Sequence, residues 1–246
     1  MSSRYTITDV SSRLLDASPL SSLITDALSL PIESVTEFEI SELSSYRIPK
    51  LANKNDEKEE EDGMCGIGLE KVPFEILNVL LTLDSSRKRE EELIRLKRLR
   101  LVLSALKTCV DADWIGVYET TIESEKRFEQ LLKLTYLGAP SRAYFPLTES
   151  FAKNSNNATS CLRKECIVIH DVTRATTKTL SKEETIPYYT CDTRVQSEVC
   201  APILTREGKC IGLIDCESWK SENFTSEKIN TILQTAKALS EFDLFR

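Results

Sequence analysis

Residues 195–216 constrain the fold of this chain more than any other stretch. Residues 195–204 and 209–216 are rich in strand-forming side chains, and the polar residues 205–208 separate the two runs. The separating segment contains Gly208, and glycine supplies the positive φ that short hairpin loops need. The sequence therefore predicts a β-hairpin here.

Carboxylates interrupt an apolar face of this hairpin. Side chains alternate between the two faces of a strand, so one face of the second run is expected to carry Ile211, Leu213, Asp215 and Glu217. Folding the hairpin about its turn places Glu198 opposite either Asp215 or Glu217, depending on the register. Opposed side chains lie about 4.5–5.5 Å apart at Cβ, so three acids this close need a cation or a shared proton. We interpret these acids as a candidate binding site.

Composition narrows the class of protein. A length of 246 residues suits one sizeable domain with an extension, and a net charge of -7 argues against nucleic-acid binding. The sequence has no apolar run long enough to span a membrane, and residues 1–13 lack the apolar core of a secretory signal. We therefore expect a cytoplasmic protein with neither a nucleic-acid nor a membrane partner.

The eight cysteines are expected to be free thiols, because a cytoplasmic compartment keeps them reduced. None forms a Cys-x-x-Cys pair, and four residues separate Cys161 from Cys166, which is wider than the usual structural zinc spacing. His170 is the single histidine of the chain. The sequence therefore predicts no metal site and no cofactor.

The N-terminal third differs from the rest of the chain in its predicted secondary structure. Residues 1–86 are predicted to form a partly helical extension, with an acidic, disordered linker near 50–62 and a flexible turn at 63–68. The leucine spacing over residues 87–108 predicts a long amphipathic helix. Its basic residues are expected to lie on a solvated face, with the glutamates at 90–92 as their partners.

From residue 113 the pattern changes to strands and closes on a helix. A last helix is predicted from Thr225, which can cap it. Further predicted strands, besides the hairpin, cover residues 114–119, 129–137, 142–147 and 166–171. This order predicts an α+β domain over residues 87–246, with the first and last helices on one face of an antiparallel sheet.

Four segments of this domain resemble the GAF domain. They are 113–118 (DWIGVY), 191–192 (CD), 197–203 (SEVCAPI) and 211–218 (IGLIDCES). Within that superfamily the chain is most similar to the free methionine-(R)-sulfoxide reductases, over residues 99–239. The resemblance implies a six-stranded antiparallel sheet, with the N- and C-terminal helices on one face and a small-ligand pocket on the other.

The resemblance also implies roles for individual residues. The cysteine that attacks the sulfoxide sulfur in those reductases matches Cys191, and their three substrate-gripping acids match Glu198, Asp215 and Glu217. The reductases usually have aspartate where this chain has Glu217. By this resemblance, the cation expected between the acids is the ammonium group of a free amino acid, held by charge-assisted hydrogen bonds.

The chain departs from the reductases at their resolving cysteines. One of those positions falls near Arg142 and the other near Ala152 or Asn157. A sulfenic acid on the nucleophile would then need another thiol, such as Cys161 or Cys200, or an external reductant such as thioredoxin. The alternative for strand cysteines is a small buried apolar side chain.

Three functional hypotheses follow. In the first, the domain binds a small amino-bearing ligand, with Arg142 pairing with a ligand carboxylate and Asn156 or Asn157 supplying amide hydrogen bonds. In the second, it is a free methionine-(R)-sulfoxide reductase that uses Cys191. In the third, it is a scaffold that dimerises through its first and last helices. An internal salt-bridge cluster of the acids with Arg142 or Arg194 is the alternative to ligand binding.

Overall fold

A computed structural model of the chain describes residues 2–5, 37–51, 65–122, 129–177, 192–242 and 244–245. Cys191 and most of the predicted linker lie outside these residues. Within them, no helix is both long enough and apolar enough to cross a membrane.

The described strands form one large antiparallel sheet and one two-stranded sheet. The strands are β1 (Ser2–Tyr5), β2 (Pro49–Leu51), β3 (Cys65–Leu69), β4 (Trp114–Ile122), β5 (Glu129–Leu137), β6 (Tyr144–Pro146), β7 (Cys166–Ile169), β8 (Ser197–Leu204) and β9 (Cys210–Ser218). The large sheet has the order β1-β7-β8-β9-β4-β5-β6, and β2 pairs with β3. Strands β4–β9 are the six-stranded sheet that the resemblance implied, so the predicted fold class is confirmed.

Helices cover both faces of the large sheet. They are α1 (Glu37–Ser44), α2 (Ile76–Leu83), α3 (Arg89–Val110), α4 (Glu149–Ala152), α5 (Asn156–Arg163), α6 (Val172–Thr177) and α7 (Ser226–Glu241). Side chains of α1, α2, α3 and α7 share one apolar core with the sheet, and α4 and α5 share a second core with its other face. The first and last helices of the domain therefore lie on one side, as predicted.

Local sequence explains where the two long helices begin and end. Thr225 caps α7 as predicted, because its side chain accepts a hydrogen bond from the backbone N–H of Lys228. At the end of α3, Asp111 adopts the left-handed conformation with φ 51°, and its N–H bonds back to the carbonyls of Lys107 and Thr108.

The hairpin of β8 and β9 settles the register that the sequence left open. Glu198 lies opposite Glu217, and Asp215 lies opposite Cys200. A bulge between β8 and β9 lies near the turn, and Ile211 packs against the core on the α3 and α7 side. The prediction that Ile211 shares a face with the acids is therefore wrong, because the bulge breaks the alternation.

Parts of the N-terminal third pack on the domain. Strand β1 pairs with the edge of β7, and Leu43 of α1 and Leu77 of α2 are buried in the α3 and α7 core. Residues 65–68, predicted as a flexible turn, belong to β3 because they pair with β2. The domain boundary at residue 86 and the homodimer through α3 and α7 stay predictions.

Four buried charges connect α3 to the sheet and to the end of the chain. The Arg95 guanidinium bonds Glu119 of β4 at 2.6 Å and Glu92 at 2.8 Å, and it also donates to the Leu244 carbonyl. Arg87 approaches Glu119 to 3.4 Å. Glu92 pairs with a basic residue as predicted, but Arg95 is buried, so the expectation that the basic residues of α3 lie on a solvated face is wrong for Arg95.

Candidate ligand-binding site

A cavity of about 80 Å³ lies on the α4 and α5 side of the sheet. We call it the ligand cavity. The residues that line it are Trp114, Tyr118, Ala139, Pro140, Ser141, Phe145, Ser155, Asn156, Asn157, Asp192, Glu198, Asp215 and Glu217. Strands β4, β8 and β9, the start of α5 and the loop before β6 each contribute to this wall.

Two of the three acids are buried at this cavity and surround a thiol. Glu198 is 6% exposed and Asp215 is 2% exposed. The Cys200 Sγ lies 3.2 Å from Glu198 Oε1 and 3.9 Å from Asp215 Oδ1. Glu217 is partly buried and lies beside Glu198 on the neighbouring strand. The register of the hairpin therefore brings the predicted acids together.

Side chains in the first turn of α5 donate hydrogen bonds to both buried carboxylates. Asn156 Nδ2 donates to Glu198 Oε2 at 2.6 Å, and Asn157 Nδ2 donates to Asp215 Oδ2 at 2.9 Å. Ser155 caps this helix by accepting from the N–H of Ala158, which fixes where the two asparagines begin. Negative charge is also favourable at a helix N-terminus. The local sequence Ser-Asn-Asn therefore both starts α5 and orients the acids.

Burial changes the protonation of this cluster. Burial raises the pKa of Asp215 well above its usual value, and the nearby charge of Glu198 raises it further, while the Asn157 amide opposes the shift. The pKa of the Cys200 thiol is also raised, first by burial and then by the two carboxylates. Without a cation, the cluster therefore tends to keep a proton that an exposed aspartate would lose.

Aromatic side chains form the apolar wall of the cavity. The Trp114 indole donates to the Ala139 carbonyl at 2.8 Å, and Tyr118 meets Phe145 edge-on at 5.4 Å between ring centroids. A Cβ on Gly138, where φ is +142°, would lie 2.4 Å from Trp114 Cδ1. Glycine at this position therefore allows the tryptophan to pack against the loop that lines the cavity.

A buried lysine supports the same loop. Lys133 Nζ donates to the Ser141 carbonyl at 2.6 Å and to its hydroxyl at 2.8 Å. The ammonium also lies 4.1 Å from the centroid of the Tyr136 ring. Its charge opposes the upward shift of the Asp215 pKa. Lys133 thus both positions Ser141 and moderates the negative charge of the cavity.

Asp192 forms part of the cavity rim. Arg194 Nη2 bonds Asp192 Oδ2 at 2.6 Å, and the guanidinium lies 4.2 Å from the Trp219 ring centroid. The hydrogen bond from Arg194 lowers the pKa of Asp192. Asp192 directly follows the predicted nucleophile Cys191, which lies outside the described residues.

The sequence model of the GAF domain matches residues 95–241. The chain belongs to the GAF domain family. A comparison with curated proteins finds no match.

Solved structures similar to this GAF domain include two reductases. A type II free methionine-R-sulfoxide reductase from Thermoplasma acidophilum is 19% identical, with a TM-score of 0.49 over 63% of this chain and 96% of that one. The free methionine-R-sulfoxide reductase from Neisseria meningitidis is 18% identical, with a TM-score of 0.47 over 68% and 86%. The GAF domain region of a Geobacter sulfurreducens membrane protein is 16% identical, with a TM-score of 0.46 over 68% and 96%.

The GAF domain brings some predicted residues together and separates others. Glu198, Asp215, Glu217 and Asn157 all line the ligand cavity. Arg142 is not among the described residues that line it, and its guanidinium lies 5.1 Å from the rings of Phe145 and Phe151. Phe145 lines the cavity, and the contact expected between Arg142 and a ligand carboxylate stays a prediction.

The cysteines named as resolving thiols occupy two different places. Cys200 lies within the acid cluster, and its Sγ is 3.1 Å from Asn157 Oδ1. Cys161 instead contacts Cys210, with 2.6 Å between the two sulfurs.

The acid cluster also has a spacing that could hold a metal ion. Glu198, Cys200 and Asp215 each offer one ligand atom, and these three atoms lie within 4.8 Å of one another. The absence of a metal stays a prediction.

Proposed function

We propose that this GAF domain binds a small amino-bearing molecule, such as a free amino acid, in the ligand cavity. The observation that carries the proposal is the convergence of buried Glu198 and Asp215, with Glu217 beside them, on a cavity with aromatic walls. An ammonium group fits this environment, because it supplies both positive charge and hydrogen-bond donors to carboxylates.

The size of the cavity limits the ligand. The described residues enclose about 80 Å³, so the part of a ligand that they surround is small. The wall contributed by Trp114 and Tyr118 suits the apolar part of the ligand, and an aromatic face also attracts a cation. A small amino acid or a short amine satisfies both limits.

Binding of an ammonium ion has an electrostatic consequence. The pKa of Asp215 is raised by burial and by Glu198, and a cation between the acids would lower it again. The ligand therefore binds most tightly where the acids are ionised and the amine is still protonated, which is the range between the raised pKa of Asp215 and the pKa of the amine. Affinity should fall on both sides of this range.

A ligand panel with matched variants tests the proposal. The purified chain is titrated with free amino acids, their decarboxylated amines and their deaminated acids, and the change in Tm and the heat of binding are measured. We expect amino-bearing compounds to raise Tm in wild type and to lose this effect in Glu198→Gln. Glu241→Gln makes the same charge change at an exposed site and should behave as wild type. A response to deaminated acids alone would refute the proposal.

The second candidate function is reduction of free methionine-(R)-sulfoxide. It is favoured by Asp192, which lines the cavity and directly follows the cysteine that matches the reductase nucleophile. The test incubates wild type and Cys191→Ser with free methionine sulfoxide, first with dithiothreitol and then with thioredoxin and its reductase. Methionine formed by wild type and not by the variant would support catalysis. No turnover with either reductant would exclude the reductase hypothesis and would not affect the binding proposal.

A further inference from the structure

We propose that Cys161 and Cys210 are a modification site at which a hydroperoxide forms a reversible intramolecular disulfide. The site is distinct from the predicted nucleophile Cys191, and the proposal does not depend on the identity of the ligand.

The two thiols are already in contact. Cys161 lies in α5 and Cys210 is the first residue of β9, and their sulfurs are 2.6 Å apart. A disulfide bond is about 2.05 Å long, so bond formation needs a movement of only about half an ångström. Both side chains are buried, and Cys210 retains 8% exposure beside the exposed hairpin turn. A small oxidant therefore has its best access from the Cys210 side.

The pair also differs chemically from the other buried thiols. The two thiols share one hydrogen bond, and this contact lowers the pKa of Cys210 and raises the pKa of Cys161. Burial instead raises the pKa of Cys166 to about 12 and that of Cys216 well above its usual value. The thiolate is the reactive form, and the shared hydrogen bond favours one thiolate within the pair. Cys210 is the more exposed of the two thiols, so a peroxide reaches it first.

The reaction balances with hydrogen peroxide, the simplest hydroperoxide, as the two-electron oxidant. The Cys210 thiolate attacks one peroxide oxygen, the O–O bond breaks, and a sulfenic acid forms while the other oxygen leaves as water after taking a proton. The Cys161 sulfur then attacks the Cys210 sulfur, an S–S bond forms, and the sulfenic oxygen leaves as a second water with the Cys161 proton. Two electrons pass from the two sulfurs to the peroxide, and an external dithiol returns them.

The position of the pair gives the disulfide a structural effect. Cys161 lies four residues after Asn157, so the two side chains share a face of α5 about one turn apart. Asn157 holds Asp215 at 2.9 Å, and Ser160 of the same helix donates to the Cys200 carbonyl at 3.1 Å. A covalent link from Cys161 to β9 would therefore restrain the helix that orients the buried acids.

Peptide mapping of the oxidised protein tests the proposal. Native full-length chain is treated with hydrogen peroxide, remaining thiols are alkylated in denaturant, and the sample is digested with trypsin. Cleavage yields residues 154–163, whose only cysteine is Cys161, and residues 210–220, which contain Cys210 and Cys216. The Cys216→Ser variant leaves Cys210 as the only cysteine of the second peptide, and fragment ions resolve the two sites in wild type.

We expect these two peptides to appear joined in the oxidised sample and separate after dithiothreitol, with Tm higher in the oxidised form. Cys210→Ser should lose the joined peptide, and circular dichroism shows whether that variant is folded. The proposal is overturned if native protein keeps both thiols alkylatable, if the link forms only in denaturant, or if Cys161 joins a cysteine other than Cys210. These outcomes are independent of whether any amino acid binds.

Discussion

Replacing Asp215 with asparagine is expected to stabilise the ligand-free GAF domain, although the residue is almost fully buried. Asparagine has nearly the same shape as aspartate. In wild type, Asn157 Nδ2 donates to Asp215 Oδ2 at 2.9 Å, and the amide oxygen of an asparagine can accept the same hydrogen bond. What the variant removes is a negative charge that burial and Glu198 both disfavour. If the charge of Asp215 serves to bind a ligand, we expect that charge to destabilise the ligand-free protein.

The size of the effect follows from the geometry. Carboxylate oxygens of Glu198 and Asp215 lie within 4.8 Å of each other. Two unit charges at that distance repel by about 3.5 kcal/mol at an effective dielectric constant of about 20. The loss of a charge-assisted hydrogen bond from Asn157 offsets about 1 kcal/mol. We therefore expect a net gain of about 1–2.5 kcal/mol, which is roughly 2–10 °C in Tm for a chain of this length.

The effect should depend on pH in one direction. The folded protein holds the Asp215 proton more tightly than the unfolded chain does, because the pKa of Asp215 is raised on folding. The contribution of this group to the free energy of unfolding is therefore fully present below the unfolded pKa, about 3.9, and is lost as pH rises through the raised value. Asp215→Asn lacks this loss, so its advantage over wild type should grow with pH.

Urea denaturation of wild type and Asp215→Asn at a series of pH values between 4 and 9 measures this difference. Glu241→Gln serves as the control, because it removes one negative charge at an exposed site. If Asp215→Asn is less stable than wild type across the whole range, or equally more stable at every pH, the charge argument is refuted. Addition of an amine that binds the wild-type cavity should reduce the difference in free energy of unfolding between Asp215→Asn and wild type.

Three further predictions concern the frame around the cavity. Gly138→Ala should cost about 1–3 kcal/mol and abolish the ligand-induced rise in Tm, because a Cβ would lie 2.4 Å from Trp114 Cδ1; thermal shift measures both effects. Arg95→Met should lower the free energy of unfolding by about 3–5 kcal/mol in urea titrations, because it leaves Glu119 buried without its 2.6 Å partner, and adding Glu119→Leu should recover part of the loss. Thr225→Ala should cost about 1 kcal/mol by the same measurement through loss of the α7 cap, and Thr225→Ser should restore it.

The order of elements in the domain could be predicted because each long element has a clear sequence period. The leucines of α3, the cap of α7 and the two runs of the hairpin each indicate their own element without reference to the rest of the chain. The candidate acids followed from one physical conflict, since charged side chains do not normally continue an apolar strand face. Strand β1, with four residues and no period, gave no such signal.

The finer geometry needed tertiary contacts that no local pattern specifies. The bulge near Ile211 depends on the pairing of β8 with β9, and the pairing of Glu198 with Glu217 depends on the same register. The roles of Asn156 and Asn157 depend on how α5 lies over the sheet. For Arg142, the family resemblance suggested a ligand contact, and the contacts of its guanidinium with the rings of Phe145 and Phe151 follow only from the folded structure.

The buried ion pairs of α3 also bear on when the domain can finish folding. Arg95 donates to the carbonyl of Leu244, which lies 149 residues further along the chain. A ribosome that adds about 5–20 residues per second needs roughly 7–30 s to reach that residue. During this interval the strands and helices before it can form, but the guanidinium lacks one of its acceptors. We therefore expect the domain to acquire its full stability only after residue 244 has emerged, so that chaperones and proteases meet a less stable form first.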